Sequence, residues 1–452
     1  MTFLELLSEN KISEAYLLLN SKEGVQNNAN EYNNKRDIRN GQVGKRIDKT
    51  SKNDTVTVAK IPIPFQRKIV KSAASFLFGS PIEVVYSENK EPSEYLRDYW
   101  KSLRMNSILL DFCKTVKSET EATIVFFIVQ NEGEEPKLKS RLLTSKNGKV
   151  YPVFDAFGDM VSFAWEYNTK ESDKETKYLY VWTKEKNYIF KEGGNGWALT
   201  DGGETENLFG KIPVVYLSQE NPEWWEVQDL IDTYEMSFSK FVDTNGYFAS
   251  PMYKVKGAVA SIPKKDETGK MVQLDIIETE KGNIIEADLE VLSWDRAPEA
   301  LKLEFETSKG LIYGLTDTPD LSFDSVKGLG SVSGIALKLL FFGSILKAKW
   351  DEGDYQTAIS RMFNLIIASS KTINSKLNFD ELEIDVRFTS VLPENLKEII
   401  EVLSEATGGK AIMSQKTAIS HNPLVSNDEL ELEAINSEDA ASRTQDLGIS
   451  FL

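Results

Sequence analysis

The sequence predicts an α+β fold: a β-rich layer, long amphipathic helices around a small β excursion, and closure of several copies into a ring. Three observations carry that reading. The apolar period is near 3.6 residues over 64–78, 227–242, 298–315 and 333–373, and it switches to 2 across 122–217 and again across 251–294. The two helices that bracket 251–294 form an antiparallel pair with the β unit at its far end. A single copy of such a rod leaves its apolar stripe partly uncovered; side-by-side repetition around an axis covers it, as heterologous interfaces do when the rotation closes.

Taken in order, residues 3–20 read as a short amphipathic helix. Residues 21–57 are polar and Asn-rich with few large apolar side chains, which reads as a loop or extended arm. In "IPIPFQRKIVKSAASFLFGSPIEVVY" Pro64 suits the first helical turn, and Phe65, Ile69, Ala73 and Phe76 or Leu77 fall on one face. Gly79 stands where a left-handed C-cap belongs, and Pro81 blocks continuation. "IEVVY" follows as a strand and 92–120 as further helix. "ATIVFFIVQ", "KVYPVFD", "MVSFAWEY", "KYLYVWT", "NYIFKEG" and "WALTDG" are short, aromatic and β-branched segments between turn residues, an antiparallel layer.

After Asn221-Pro222, the residues Val227, Leu230, Ile231, Tyr234, Phe238, Phe241 and Val242 hold a helical stripe for about five turns. Strand character returns over 251–294, around the charged tip "PKKDETGK". A second helix starts near Pro298, with Leu301, Phe305, Ser308, Ile312 and Leu315 on one face, and stops at "TDTPDLS". A helical pattern then runs from Ser333 to Ile373, with Gly343 and Gly353 inside it as bend points. A strand, "LEIDVRFTS", and a helix, "ENLKEIIEVLSEAT", follow. The acidic "SNDELELEAINSEDAASRTQDL" reads as a solvated helix or frayed tail.

Composition narrows the function. Hydrophobic content of 41% and charged content of 27% are those of a soluble globular protein. A net charge of −17 argues against tight binding of nucleic acid, which relies on Lys and Arg displacing counterions. One cysteine, Cys113, cannot form an intramolecular disulfide and fits a reducing compartment. The start "MTFLELLSEN" has neither a basic region nor a small-residue cleavage site, and no apolar run reaches the ~18 residues of a membrane span.

Enzymatic signatures fail on context. Gly328, Gly330 and Gly334 imitate a dinucleotide loop, but the upstream "TDTPDLSFDSV" is no buried strand, and no Lys follows the last glycine as a Walker loop needs. With one His, His421, and one Cys, no zinc site is expected. His421 reads as a surface or capping residue, and no G-x-S-x-G elbow supports a triad. "DTPD" (Asp317, Asp320) and "DEGD" (Asp351, Glu352, Asp354) have the donors for Mg²⁺ or glycoside hydrolysis; the plainer reading is an acidic loop and a solvated helix face. Trp224-Trp225, just after a proline at a helix start, reads as packing or an interface anchor more than a sugar platform.

Three segments resemble the portal proteins of tailed double-stranded-DNA phages, of the siphophage type. "KIPIPFQRKIVKSAASFLFGSPIEV" is similar to their wing segment. "FGKIPVVYLSQENPEWWEVQDLIDTYEMSFSKFVD" is similar to the segment entering their first stem helix. "LKLEFETSKGLIYGLTDTPDLSFDS" with "GSVSGIALKLLF" is similar to the segment through their second stem helix and tunnel loop. The resemblance runs over roughly 55–400 in the same order; residues 130–210 and the C-terminus lie outside it.

The resemblance implies a non-enzymatic ring, usually of twelve copies, at one capsid vertex of the virion, assembled in the host cytoplasm. Its regions would be wing (1–222), first stem helix (223–247), clip (248–297), second stem helix (298–315), tunnel loop (316–332), long helix and wing strand (333–392) and crown (393–452). It implies double-stranded DNA passing non-specifically through the channel, with terminase, major capsid or scaffold protein and a head-completion adaptor as partners. It implies no cofactor, metal or membrane. The tunnel-loop residues would be Asp324, Ser325, Val326, Lys327, Gly328, Leu329, Gly330 and Ser331. Gly328 and Gly330 lower the cost of changing backbone angles, and Ser331 to Ser333 can cap the helix behind them. Lys264, Lys265 and Lys270 at the clip tip would dock partners, or serve only as a soluble hairpin tip. A carboxylate-dependent hydrolase and an oligomeric scaffold without a channel are the competing readings.

Overall fold

Among the described residues, the segments whose periods the sequence separates build a five-stranded sheet, a three-stranded sheet, five two-stranded pairs and a set of helices. The computed structural model describes residues 2–33, 46–51, 54–87, 90–130, 133–171, 174–248, 252–256, 258–261, 273–275, 277–278, 284–285, 288–292, 298–320, 339–389, 391, 396–425, 428 and 430–438. It divides into two compact units, 1–320 with 343–389, and 321–342 with 390–452.

The first unit opens with two short helices where one was expected. α1 (Phe3–Ser8) begins in a capping box, with Glu5 N–H donating to Thr2 Oγ1 at 3.3 Å and Thr2 N–H to Glu5 Oε2 at 2.8 Å. Asn10 turns left-handed at φ 57°, and α2 (Ile12–Tyr16) restarts at a new angle. Between them Phe3, Leu6, Ile12 and Leu19 cover one face of the larger sheet, against Tyr151, Leu179, Phe190 and Trp197.

Part of the Asn-rich 21–57 segment is also more ordered than its composition indicates; residues 34–45 and 52–53 lie outside the described residues. It contains α3 (Val25–Asn33) and a hairpin, β1 (Lys49–Ser51) with β2 (Asp54–Val56). Ala29 and Asn30 are buried and α3 packs on neighbouring helices, so tertiary contact overrides weak local propensity.

α4 (Phe65–Phe78) follows the expected stripe, but Gly79 is right-handed at φ −67°, not the left-handed cap expected. β3 (Glu83–Tyr86) precedes α5 (Glu91–Ser102) and α6 (Met105–Glu119), which the sequence runs together and Arg104, at φ 54°, separates.

The period-2 region makes two antiparallel sheets. β4 (Glu121–Val129), β5 (Lys137–Leu143) and β11 (Val214–Ser218) pair in the order β11-β4-β5. β6 (Lys149–Phe154), β7 (Met160–Glu171), β8 (Lys174–Trp182), β9 (Lys186–Gly193) and β10 (Gly196–Glu206) form a meander. Val125, Leu143, Val150, Phe163, Trp182 and Val214 fill the space between the sheets. Aromatic partners lie directly opposite one another, Trp165 with Tyr180 and Tyr167 with Tyr178.

α7 (Gln228–Phe248) starts after a single 3₁₀ turn at Trp225–Val227. α8 (Pro298–Leu315) returns antiparallel to it: Ile231 packs in one cluster with Ile312 and Tyr313, while Phe305 meets Tyr234, Phe238 and Phe241 at ring separations of 5.2, 5.8 and 6.1 Å. The excursion between them holds β12 (Met252–Lys256), β13 (Ala258–Ser261), β14 (Gln273–Asp275), β15 (Ile277–Glu278), β16 (Ile284–Ile285) and β17 (Asp288–Leu292). They pair as β12-β17, β13-β14 and β15-β16.

A strap along α7 accounts for its buried polar residues. Backbone N–H groups of Ala59, Ile61 and Ile63 donate to Asp243 Oδ1 (2.7 Å), Ser239 Oγ (3.1 Å) and Glu235 Oε1 (2.6 Å). Every second strap residue meets every fourth helix residue, because the two chains advance nearly in step.

α9 (Phe342–Ile373) is the longest helix, and Gly343 stands at its start rather than within it. Its later turns put Ile359, Met362, Phe363 and Ile366 into the main core with Leu96, Leu109 and Phe112, and Trp100 stacks on Phe363 at 4.6 Å. β18 (Ile384–Arg387) then pairs with β3. In the second unit Leu396–Thr407 and Gln415–Ser420 are helical, the latter capped by Ser414 Oγ accepting from Thr417 N–H at 3.2 Å. Among the described residues no helix is long and apolar enough to cross a membrane.

Ser239 is fully buried, and Ser239→Ala leaves the half-buried Ile61 N–H without its acceptor. It should lower stability by about 1–3 kcal/mol, read from urea unfolding. Thr233→Ala, at an exposed position of the same helix, should shift it by less than ~0.5 kcal/mol.

Candidate functional site

The end of α8 and the start of α9, which flank residues 321–338 in the sequence, meet at a largely buried ionic cluster. α8 finishes with Thr316, whose Oγ1 donates to Ile312 O at 2.7 Å, and Thr318, whose N–H donates to Tyr313 O at 2.9 Å. Asp317 takes a left-handed φ of 51° and presents its carbonyl to Ser344 Oγ at 2.5 Å. Gly343 packs closely here: a Cβ would sit 2.6 Å from Asp317 Oδ1 and would push that side chain aside. Asp320 is held by Lys309 at 2.8 Å and Lys68 at 3.9 Å, and Lys68 lies over the Tyr313 ring at 4.2 Å.

One turn into α9 the cluster proper begins. Lys347 Nζ donates to Thr316 O at 2.8 Å and pairs with Glu223 Oε1 at 2.6 Å. Glu223 Oε2 is 3.1 Å from Lys117 Nζ, which also pairs with Asp351 Oδ2 at 2.7 Å. The Lys117 side chain is only 2% exposed. Two cations and two anions from α6, the turn before α7, and α9 thus neutralise one another, Lys117 and Glu223 in the interior and Lys347 and Asp351 at its margin, and Glu223 N–H donates to Lys117 O at 3.0 Å. Burial alone would lower Lys117; Glu223 and Asp351 outweigh it and raise it above the usual lysine value. Burial is also the largest influence on Glu223, pushing it up, yet Lys117 and Lys347 together hold it below 4.5. Beside them Cys113 is buried, its thiol pushed up to about 12 by desolvation, and the Tyr355 phenol is raised well above 10.0 for the same reason. These groups are paired or protonated. The arrangement fixes helix ends in place and offers no activated nucleophile.

The acidic motifs are absorbed by this arrangement. Asp351, a third of its side chain exposed, bonds buried Lys117; Glu352 pairs with Lys349 at 2.6 Å; Asp354 is exposed, as on the solvated face expected; Asp320 is tied to two lysines. Among the described residues no three acidic, His or Cys side chains converge on a metal position. Trp224 is buried against Phe65 and Ile69, while Trp225 is 59% exposed. His421 follows the last turn of the Gln415–Ser420 helix. The tunnel-loop residues Asp324 to Ser331 and the clip lysines Lys264, Lys265 and Lys270 lie outside the described residues.

Sequence reasoning passed over Lys117, Glu223 and Lys347. A signal existed for the first: Leu109, Phe112, Cys113 and Val116 set a buried helical face, and Lys117 continues it, so a charged partner was required.

The family model described as "Phage portal protein, SPP1 Gp6-like" matches residues 18–445. The chain belongs to that portal protein family. It is a structural family rather than an enzyme family. A curated portal protein of Bacillus phage SPP1 is 23% identical over 407 residues, covering 85% of this portal chain and 77% of its own length. Among solved structures, a chain in the neck of a native gene transfer agent particle, computed with C12 symmetry, has a TM-score of 0.44 at 10% identity, covering 89% of this chain and 94% of its own. A chain from the virion of a native gene transfer agent particle gives 0.40 at 10% identity, covering 88% and 92%.

Glu223→Gln should destabilise this portal chain at neutral pH by about 3–5 kcal/mol, because Lys117 and Lys347 lose a buried counter-charge. A carboxyl held low in the folded state stabilises it above the unfolded value, and loses that as pH falls through the folded value. The gap between wild type and Glu223→Gln, followed by urea unfolding, should therefore narrow as pH drops below 4.5.

Proposed function

We propose that this portal chain forms a ring, of twelve copies, at one vertex of the capsid. DNA enters and leaves through its axis, and terminase and head-completion proteins dock on its clip. In that reading 1–222 is wing, 223–247 and 298–315 are stem, 248–297 is clip, 316–332 is tunnel loop, 333–392 is the long helix with a wing strand, and 393–452 is crown. The observation that carries it is the rigid base of 321–338. Its flanks are fixed by the Lys117, Glu223, Lys347 and Asp351 quartet and by Asp320 with Lys309. A segment that contacts a sliding duplex needs such an anchor, because any yield at its base is transmitted to its tip. The net charge of −17 agrees with a channel through which DNA slides, since grip by counterion release at every subunit would arrest it.

Uncovered apolar side chains support the ring. Leu303, Leu311 and Leu315 on α8 are exposed and share one side of the helix, within about 120° of arc. Leu346 and Trp350, one turn apart on α9, are also exposed, Trp350 by 79%. A neighbouring copy is the occupant that this reading assigns to them.

Native mass measurement of the purified chain, with negative-stain imaging, should give a discrete ring with a central hole. Leu311→Glu with Trp350→Glu should yield monomers of unchanged circular dichroism. A wild-type chain that stays monomeric at micromolar concentration overturns the ring.

Replacing 324–331 by a Gly-Ser linker of equal length should leave ring mass intact and cut packaged DNA at least tenfold in an in vitro packaging reaction. Undiminished packaging refutes the role given to that segment.

A further inference from the structure

The outer strand of the three-stranded sheet, β5, carries features that the exposed faces of α8 and α9 do not account for. Phe126 N–H donates to Pro213 O at 2.8 Å, on the β11 side. In β4, then, even-numbered residues direct their backbone groups toward β11 and odd-numbered ones toward β5. Phe126 stands opposite Ser140 and Phe127 opposite Lys139. It follows that Lys137, Lys139 and Arg141 bond back to β4, whereas Leu138, Ser140 and Leu142 turn N–H and C=O to the open edge.

The two faces of that edge differ. Lys137, Lys139 and Arg141 are exposed on one face, beside Phe127, and the Arg141 guanidinium lies over the Trp165 ring at 5.3 Å. Leu138 and Leu142 face the helices on the other, and Leu138 is fully within the main core. A cavity of about 650 Å³ straddles the edge, walled by Asp98, Tyr99 and Ser102 of α5. In a chain of net charge −17, "KLKSRLL" has three cations and no acid. Glu134 pairs with Lys137 at 3.4 Å at the strand's start, and Asp98 is the acid on the helix side.

We propose that the β5 edge is a strand-addition dock for an extended segment of a partner protein in which acidic and apolar residues alternate. Main-chain bonds to Leu138, Ser140 and Leu142 supply pairing, and alternate side chains supply selection. Acidic residues of the added strand lie beside Lys139 and Arg141, where opposite charges across a sheet attract. Its apolar residues turn toward α5, next to Tyr99, where Asp98 disfavours a second acid. Lysines on an edge strand repel neutral and basic strands; an acidic strand turns the same charges into its selection. The dock belongs to the single subunit and stands independently of ring formation.

The test uses the full-length chain and a fluorescein-labelled peptide of four Glu-Val repeats, followed by anisotropy. A four-repeat Lys-Val peptide and a labelled DNA duplex serve as the other probes. Saturable binding of the Glu-Val peptide is expected, with slowed hydrogen exchange at Leu138, Ser140 and Leu142. Lys139→Glu with Arg141→Glu should weaken it at least tenfold. Ser140→Pro should do the same, since it removes an outward N–H that β4 does not use. Absence of saturable binding overturns the dock, as does unaltered exchange at those amides in the wild type, a readout independent of whether the proline variant folds. Equal affinity of Ser140→Pro reduces the site to charge attraction and overturns strand addition. Tighter binding of the duplex, lost on the same charge reversals, makes it a phosphate surface instead.

Discussion

The salt-bridged interior around Lys117 is the constraint on which the placement of the helices depends. A lysine with 2% of its side chain exposed cannot stay charged alone, and leaving water costs several kcal/mol per ion after relaxation. Glu223 and Asp351 must therefore stand where they do, and Glu223, facing a second cation, fixes Lys347. Lys347 in turn donates to Thr316 O, just past the end of α8. Four segments far apart in sequence are brought to one point by the requirement that charges cancel. Well-packed apolar residues of similar volume could give equal stability there. They would not fix the azimuth of α9 about its axis, because apolar contacts slide where paired ions do not. The quartet sets geometry more than it adds free energy.

The division of labour along α9 follows. Its first turns carry Gly343, Ser344, Lys347 and Asp351, which bind the end of α8 and the cluster; its later turns carry Ile359, Met362, Phe363 and Ile366, which fill the main core. One helix therefore joins a polar clamp to a hydrophobic body. A shift along its axis at one end must be matched at the other, which links the loop flanks to the core beneath the sheets.

Much of the fold was legible because it rests on periodicity. The meander, the antiparallel pair α7 and α8, the excursion between them and the late strand all follow the apolar pattern of the residues themselves. What was hidden rests on partners distant in the chain. "VQNNANEYN" has poor helical propensity and becomes α3 because Ala29 and Asn30 find a packing surface. The breaks at Asn10 and Arg104 are single left-handed residues inside continuous patterns, which no period reveals. At the site the apolar face of α6 announced that Lys117 needed a counter-charge, but not that residues 223 and 351 would provide it. The portal resemblance, in contrast, was carried by short segments in a fixed order, and the family match over 18–445 agrees with it.

The strap of residues 59–63 along α7 works like a vernier, two rulers with slightly unequal divisions. Two extended residues advance about 6.6 Å and four helical ones about 6.0 Å, so each rung slips by roughly 0.6 Å. Three rungs absorb that slip, and past Ile63 the ladder ends because α4 begins at Phe65 and the next helix position, Ile231, has no acceptor. The partners themselves set the register: sliding the strap one division toward the start of α7 would bring Ile63 N–H to Ile231, which has nothing to accept it.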